Sequence, residues 1–192
     1  MRQNIIVIDD FYSNVDAVRE FALSQPFNVT GNYPGVRTEN FLNESTKETI
    51  QDILLPHAGR VINWLETSEE GYSGAFQITT GSNKSWIHND AYNNWAGVLY
   101  LTPDAPVTGG TGFFRSKLDG SFTGPDDHKC FPDAPSDVWT NMDMWDKVAE
   151  VGNVYNRIVL FRADQWHTSL DYFGEDFNTG RLTQVFFIKT ER

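Results

Sequence analysis

The sequence predicts an α+β domain in which two helical segments precede a β part of about seven strands. Apolar residues recur at helical spacing in two segments before residue 70, and from Gly71 onward short apolar runs alternate with turn residues. A β part of this kind is expected to form a jelly-roll or a barrel. The 192 residues suit a single domain (1–192), with an N-terminal part (1–70) and a β core (71–192) that carries an insert (116–153).

The N-terminal part is predicted to begin with a strand and to continue with two helices. Residues 4–10 contain a short apolar run that is typical of a strand. Ser13 or Asn14 can cap a first helix, which ends at about residue 25 because a proline follows. A second helical region is predicted over residues 43–66, and Pro56 should kink or split it because proline lacks an amide hydrogen.

A turn is predicted between these two helices, where Pro34 and Gly35 stand together. Arg37 follows this turn, and the favoured interpretation is an exposed arginine in a solvated loop. In the alternative interpretation, Arg37 lies beside Tyr33 and binds a substrate carboxylate, because a guanidinium can donate two parallel hydrogen bonds to a carboxylate.

The β core is predicted from apolar runs that are separated by glycine, proline and asparagine. Residues 117–153 are irregular and rich in aromatic residues, so we expect a loop packed over one end of the sheet, with a short helix over residues 141–151. The predicted strands cover residues 73–79, 86–90, 95–101, 113–115, 154–161, 167–172 and 181–188.

Charge and composition argue against several classes of partner. The net charge is −11 and no cluster of lysine and arginine is present, so nucleic acid is a poor candidate partner. The sequence contains no run of about 20 apolar residues and no apolar leader, so we expect a cytoplasmic protein without a membrane partner. The single cysteine, Cys130, excludes an internal disulfide. The oligomeric state does not follow from the sequence.

A candidate metal site centres on His88 and Asp90, which are two positions apart in a predicted strand. Residues i and i+2 of a strand point to the same face, and imidazole with carboxylate suits Fe(II), Mn(II) or Zn(II). His167 is the obvious third ligand. The remaining histidines are assigned no role, since His57 is interpreted as an ordinary helix residue and His128 as an exposed residue of the insert.

Four features follow one another in a fixed order along the chain, and Arg181 lies 14 positions after His167. The features are the His88-x-Asp90 pair, the runs Gly97–Leu101 and Gly109–Phe114, an apolar strand that leads to His167, and Arg181 at the start of the last strand. Together they resemble the Fe(II)/2-oxoglutarate-dependent oxygenases, most closely those with prolyl-hydroxylase-like domains, over roughly residues 74–188.

The resemblance implies a double-stranded β-helix, or jelly-roll, with supporting N-terminal helices. It also implies that His88, Asp90 and His167 hold iron and that Arg181 binds the distal carboxylate of 2-oxoglutarate. Thr183 matches a hydroxyl-bearing residue of that subsite, and Tyr100 matches a tyrosine that often bonds the same carboxylate.

The implied activity is hydroxylation with iron, 2-oxoglutarate and O2, with release of succinate and CO2. Halogenases of the superfamily lack the carboxylate ligand, so Asp90 favours hydroxylation. The expected substrate is an amino-acid-like small molecule or a peptide or protein side chain. The candidate residues for its pocket are Tyr33, Arg37, Tyr92, Asn94, Trp95, Trp139 and Trp166.

Two other functions fit parts of the pattern. A cupin-like metal protein that does not use 2-oxoglutarate would keep the three metal ligands and give Arg181 a structural role. A non-catalytic jelly-roll that binds a ligand or a partner protein would show neither a tight Fe(II) site nor turnover. Succinate formation would distinguish a 2-oxoglutarate-dependent oxygenase from both of these alternatives.

Overall fold

The computed structural model describes residues 3–67, 72–125, 131 and 134–192. These residues form two α-helices and ten strands, and no helix among them is long and apolar enough to span a membrane. The elements are β1 (Ile5–Ile8), α1 (Val15–Ser24), β2 (Val36–Asn40), α2 (Glu44–Ala58), β3 (Val61–Asn63), β4 (Ala75–Thr79), β5 (Trp95–Tyr100), β6 (Thr111–Ser116), β7 (Trp145–Val151), β8 (Ile158–Arg162), β9 (His167–Ser169) and β10 (Arg181–Thr190).

The strands form two antiparallel sheets. The larger sheet has seven strands in the order β1-β8-β5-β10-β4-β2, with β3 paired to β10, and the smaller sheet has the order β7-β6-β9. The predicted combination of N-terminal helices with a following β part is confirmed.

Side chains of the larger sheet alternate between two packing layers, as the two-residue period of a strand requires. On β10, Leu182, Phe186 and Ile188 pack with buried residues of α1 and α2. Val185 and Phe187 point the other way and pack with residues of the smaller sheet, including Phe113. The helices therefore cover one face of the larger sheet, and the smaller sheet covers the other.

Asparagine caps begin both helices. The Asn14 side chain accepts a hydrogen bond from the amide of Ala17, and the Asn43 side chain accepts one from the amide of Thr46. Gly59 caps the C-terminal end of the second helix, and its φ of 78° lies in a region that favours glycine.

The predicted helix over residues 43–66 is therefore too long. Pro56 does not split the helix, because it lies within the last turn of a single helix that ends at Ala58. Residues Val61–Asn63 form β3, which pairs with the end of β10. Strand β10 lies more than a hundred residues after β3 in the sequence, so local periodicity could not predict that these residues form a strand.

Three further predictions of local structure are wrong. Residues 141–151 form a single 3-10 turn and then strand β7, because pairing with β6 satisfies their backbone groups. Part of the predicted turn after Pro34 is strand β2, paired with β4. Residues 86–90 form no regular strand, and His88 makes one isolated bridge to His167. His128 and the boundary between residues 70 and 71 lie outside the described residues.

The side chain of Phe186 should stabilise the fold strongly, because it is fully buried between the larger sheet and the helices. We expect Phe186→Ala to lower the free energy of unfolding by about 3–5 kcal/mol, as measured by urea denaturation. Ile62→Ala is the control, because Ile62 is 65% exposed, and it should change the free energy by less than about 0.5 kcal/mol. Similar losses in both variants would contradict this packing.

Candidate metal centre

A two-way backbone contact brings His88 and His167 together. The amide of His88 donates to the carbonyl of His167 over 3.0 Å, and the amide of His167 donates to the carbonyl of His88 over 2.9 Å. The two ring centroids lie 4.4 Å apart. The amide of Asp90 donates to the carbonyl of Ala163 over 2.8 Å, which ties the second half of the His-x-Asp pair to the segment before β9.

Each imidazole is oriented by a backbone carbonyl two residues before it. The Nδ1 atom of His88 lies 3.0 Å from the carbonyl oxygen of Trp86, and that of His167 lies 2.9 Å from the carbonyl oxygen of Gln165. A carbonyl oxygen can only accept, so Nδ1 is the protonated nitrogen in both rings. Each Nε2 then carries a lone pair, which is the state that binds a metal.

The side chains of His88, Asp90 and His167 have the geometry of a metal site. One potential ligand atom from each residue lies within 4.8 Å of the other two. Asp90 Oδ2 lies 3.5 Å from His167 Nε2. Two imidazoles and one carboxylate form the ligand set of a facial triad, which suits a non-haem Fe(II) ion and leaves coordination positions open.

Asp90 is ionised in this environment. Burial by itself raises the pKa of its carboxyl group, but the contacts with the imidazoles of His167 and His88 and the positive charge of Arg37 outweigh burial and lower the pKa. A carboxylate rather than a carboxylic acid is the form that binds a metal cation.

A cavity between the two sheets connects the triad to two arginines. It is lined by His88, Asp90, His167, Arg181, Thr183 and Arg37, among others. The alternation of β10 explains part of this lining, because Arg181 and Thr183 share a strand face with Val185 and Phe187. The residues predicted for iron and for the cosubstrate therefore lie around one cavity, except Tyr100, which lies behind it.

Arg181 has an incomplete set of hydrogen bonds. It is 3% exposed, and its Nε donates to the carbonyl of Gly109 over 2.8 Å. Its Nη2 is buried and has no hydrogen-bond partner among the described residues. A buried donor without a partner is costly, so this position fits a ligand that brings an acceptor, such as a carboxylate. Tyr100 supports the site from behind, with its hydroxyl 2.8 Å from Thr111 Oγ1 and its ring 5.4 Å from the Arg181 guanidinium carbon.

Tyr33 and Arg37 are the two predicted pocket residues that line this cavity. The favoured interpretation of Arg37 as an exposed loop residue is wrong, because Arg37 is 7% exposed and belongs to β2. Its Nε donates to Gln77 Oε1 over 2.9 Å. Gln77 was not among the predicted site residues, and a glutamine between the apolar residues Phe76 and Ile78 was the available signal for it.

The other predicted pocket residues do not line the cavity. Trp95 packs on the helix side of the larger sheet. The side chain of Asn94 accepts a hydrogen bond from the amide of Thr190. Tyr92 is 37% exposed, with its ring 6.0 Å from that of Phe187. Trp139 and Trp166 contact each other in an aromatic cluster, with ring centroids 5.6 Å apart.

Sequence comparison matches residues 1–188 to a family of unknown function, DUF6445. The chain belongs to this family. No curated protein matches it.

Solved structures similar to this chain include several 2-oxoglutarate-dependent oxygenases. HygX from Streptomyces hygroscopicus, solved with nickel, 2-oxoglutarate and hygromycin B, matches with a TM-score of 0.64 and 12% identity over 98% of this chain and 83% of HygX. The α-ketoglutarate-dependent carbocyclase SnoK from nogalamycin biosynthesis matches with a TM-score of 0.58 and 15% identity over 98% of this chain and 80% of SnoK. A prolyl hydroxylase from Trichoplax adhaerens, solved with a peptide fragment, matches with a TM-score of 0.50 and 13% identity over 97% of this chain and 84% of the hydroxylase.

These similarities establish a shared fold. The resemblance to the Fe(II)/2-oxoglutarate-dependent oxygenases that the sequence indicated is thereby confirmed at the level of architecture. HygX binds nickel and 2-oxoglutarate in its structure, and a further structure of HygX contains iron.

Replacement of one triad histidine should abolish tight metal binding, because two ligands cannot hold the ion as three do. We expect His167→Ala to weaken Fe(II) binding by more than about 100-fold in anaerobic isothermal titration calorimetry. His57→Ala is the matched control, since His57 is an exposed residue near the end of α2, and it should bind Fe(II) like the unchanged protein. Equal affinity of the two variants would contradict the site.

Proposed function

We propose that this protein is an Fe(II)- and 2-oxoglutarate-dependent oxygenase that hydroxylates a small molecule or a peptide. One observation carries the proposal. A three-residue ligand set for Fe(II) and a buried arginine with an unpartnered donor line the same cavity. The first feature alone would fit any cupin-like metal protein, whereas the second adds a place for a carboxylate next to the metal.

In this proposal each residue around the cavity has a defined task. Nε2 of His88, Nε2 of His167 and the carboxylate of Asp90 hold the iron. Arg181 donates its buried N–H to the distal carboxylate of 2-oxoglutarate, with Thr183 beside it. When bound, iron and 2-oxoglutarate supply the oxidising chemistry for hydroxylation with O2, with succinate and CO2 as the other products.

We also propose that the two sheets form the double-stranded β-helix, or jelly-roll, of a single domain over residues 1–192. Their antiparallel pairing and the packing of β6 and β7 against β5, β8 and β10 support this arrangement. The helices then serve as an outer support for the larger sheet. This arrangement leaves the inner face of β10 available for the cosubstrate.

A wider pocket next to the cavity offers room for substrate. It has a volume of about 480 Å³, and Ser85 and Ser169 line both it and the cavity. Trp86 and Trp139 give it aromatic walls, so Trp139 is kept as a candidate substrate contact. HygX binds the small molecule hygromycin B and the Trichoplax prolyl hydroxylase binds a peptide, and both kinds of substrate are candidates here.

Arg181→Gln should separate iron binding from cosubstrate binding, because Arg181 is proposed to contact 2-oxoglutarate and not the iron. In an anaerobic titration of the iron-loaded protein, followed by the visible charge-transfer band of the chelate, we expect the dissociation constant for 2-oxoglutarate to rise on the order of 10- to 100-fold. Fe(II) affinity should be unchanged.

Arg115→Gln is the control for this titration, because Arg115 is an exposed arginine on β6 that is paired with Asp146. It should bind 2-oxoglutarate normally. Absence of the band from the iron-loaded unchanged protein would reject 2-oxoglutarate as the cosubstrate and favour a cupin-like metal protein instead.

A further inference from the structure

A second buried arginine, Arg37, lines the cavity together with Arg181. Its orientation is fixed by a short relay of side-chain hydrogen bonds. Arg37 Nε donates to Gln77 Oε1 over 2.9 Å, and Gln77 Nε2 donates to the carbonyl of Pro34 over 2.7 Å. The amide of Gln77 is thus held with its oxygen towards Arg37, which directs the guanidinium without adding a negative charge to it.

The sheet register separates Arg37 from the proposed cosubstrate site. Arg37 pairs with Gln77, Gln77 pairs with Thr183, and Thr183 pairs with Tyr100, so the four residues form one row across the larger sheet. Neighbouring strands are about 4.8 Å apart, which puts the backbone of Arg37 roughly 10 Å from that of Thr183. Arg37 and Arg181 therefore reach the cavity from two strands, β2 and β10, that have β4 between them, and we treat them as two cationic positions.

Tyr33 lies against Arg37, at the second cationic position of the cavity. The guanidinium carbon of Arg37 lies 3.7 Å from the centre of the Tyr33 ring. The Tyr33 hydroxyl is buried and has no hydrogen-bond partner among the described residues. Burial raises the pKa of this hydroxyl, so it stays protonated and able to donate. Gly35, with φ of 72°, keeps the turn tight against β4, since a side chain there would collide with the carbonyl oxygen of Ile78.

Arg37 and Tyr33 thus place a guanidinium group and a neutral hydroxyl donor at the same side of the cavity. Both belong to the N-terminal part of the chain, whereas the metal ligands and Arg181 belong to the β core. Arg37 also lines the same cavity as His88, Asp90 and His167. A ligand held by Arg37 would therefore lie near the metal centre.

We propose that Arg37 and Tyr33 bind a carboxylate of the substrate, so that this enzyme acts on a carboxylic acid. This inference rests on the proposed oxygenase function, because it assigns the second cation to the molecule that is oxidised. A guanidinium recognises a carboxylate through parallel hydrogen bonds, and a primary amide of the same shape cannot accept them with equal strength. The uncharged analogue of the substrate should therefore bind poorly.

The experiment uses matched pairs of acids and primary amides as probes. The panel contains the protein L-amino acids, their 2-hydroxy acid counterparts and short aliphatic acids, each beside its amide, and N-acetylated tripeptides with a free or an amidated C-terminus. Binding to the anaerobic protein loaded with Fe(II) and 2-oxoglutarate is measured by calorimetry, without turnover. Succinate release in the presence of O2 is measured separately.

We expect at least one acid to bind and its amide to bind at least about 10-fold more weakly. A response to free acids identifies a small-molecule substrate, and a response only to tripeptides identifies a peptide C-terminus. Arg37→Gln should weaken binding of the acid on the order of 10- to 100-fold, and Arg37→Lys should weaken it less because the charge remains. Arg115→Gln should bind the acid normally.

Tyr33→Phe is the decisive variant, because it removes a hydroxyl that bonds no described residue and keeps the ring under Arg37. It should weaken acid binding several-fold while the midpoint of thermal unfolding stays unchanged. A purely structural Tyr33 would show no effect on acid binding. This variant keeps the inference testable if Arg37→Gln does not fold.

Several outcomes would overturn the inference while the proposed function stands. They are the absence of binding by every acid, equal binding of acids and amides, and unchanged acid binding in Tyr33→Phe and Arg37→Gln. Weaker 2-oxoglutarate binding in Arg37→Gln, with acid binding intact, would make Arg37 a cosubstrate residue instead. Failure of the protein to form the 2-oxoglutarate complex at all would reject both proposals.

Discussion

The two-sided packing of β10 is the constraint on which the rest of the structure depends. This strand pairs with β3, β4 and β5, so it joins most of the larger sheet. Its residues alternate strictly, with Leu182 and Phe186 towards the helices and Arg181 and Thr183 towards the cavity. A shift of one residue in register would bury Arg181 against the helices and point Leu182 into the cavity, so the core and the site enforce the same register.

The cavity places positive charge inside a strongly acidic protein. The net charge of −11 describes the surface field and argues against nucleic acid, but it does not describe the cavity. There, Arg37 and Arg181 are nearly fully buried, and each donates its Nε to a neutral oxygen. The two guanidinium groups favour an anion in the cavity, and the proposed cosubstrate and substrate are both acids.

The sequence predicted that His88, Asp90 and His167 lie together in space, and they do, but for a partly different reason. His88 and Asp90 converge because a backbone bridge to His167 and a hydrogen bond to Ala163 hold them, whereas the prediction assumed a regular strand. Strands with apolar runs were recognisable, but strands β2 and β7 were not. The sequence of β2 is largely polar, and the apolar residues of β7 (145, 148, 149 and 151) are spaced more as in a helix than as in a strand. The burial of Arg37 was unpredictable for a similar reason, since Gln77 lies 40 residues away.

The aromatic residues explain how the rest of the chain supports the metal centre. Trp166 and Ile87 are buried in one cluster with Phe114, Val138 and Trp145, and Trp139 packs against it. Ile87 directly precedes His88, and Trp166 directly precedes His167. The amide of Ile87 also donates to the carbonyl of Trp139 over 2.7 Å. The described part of the insert therefore contacts the residues that precede His88 and His167, rather than the two histidines themselves.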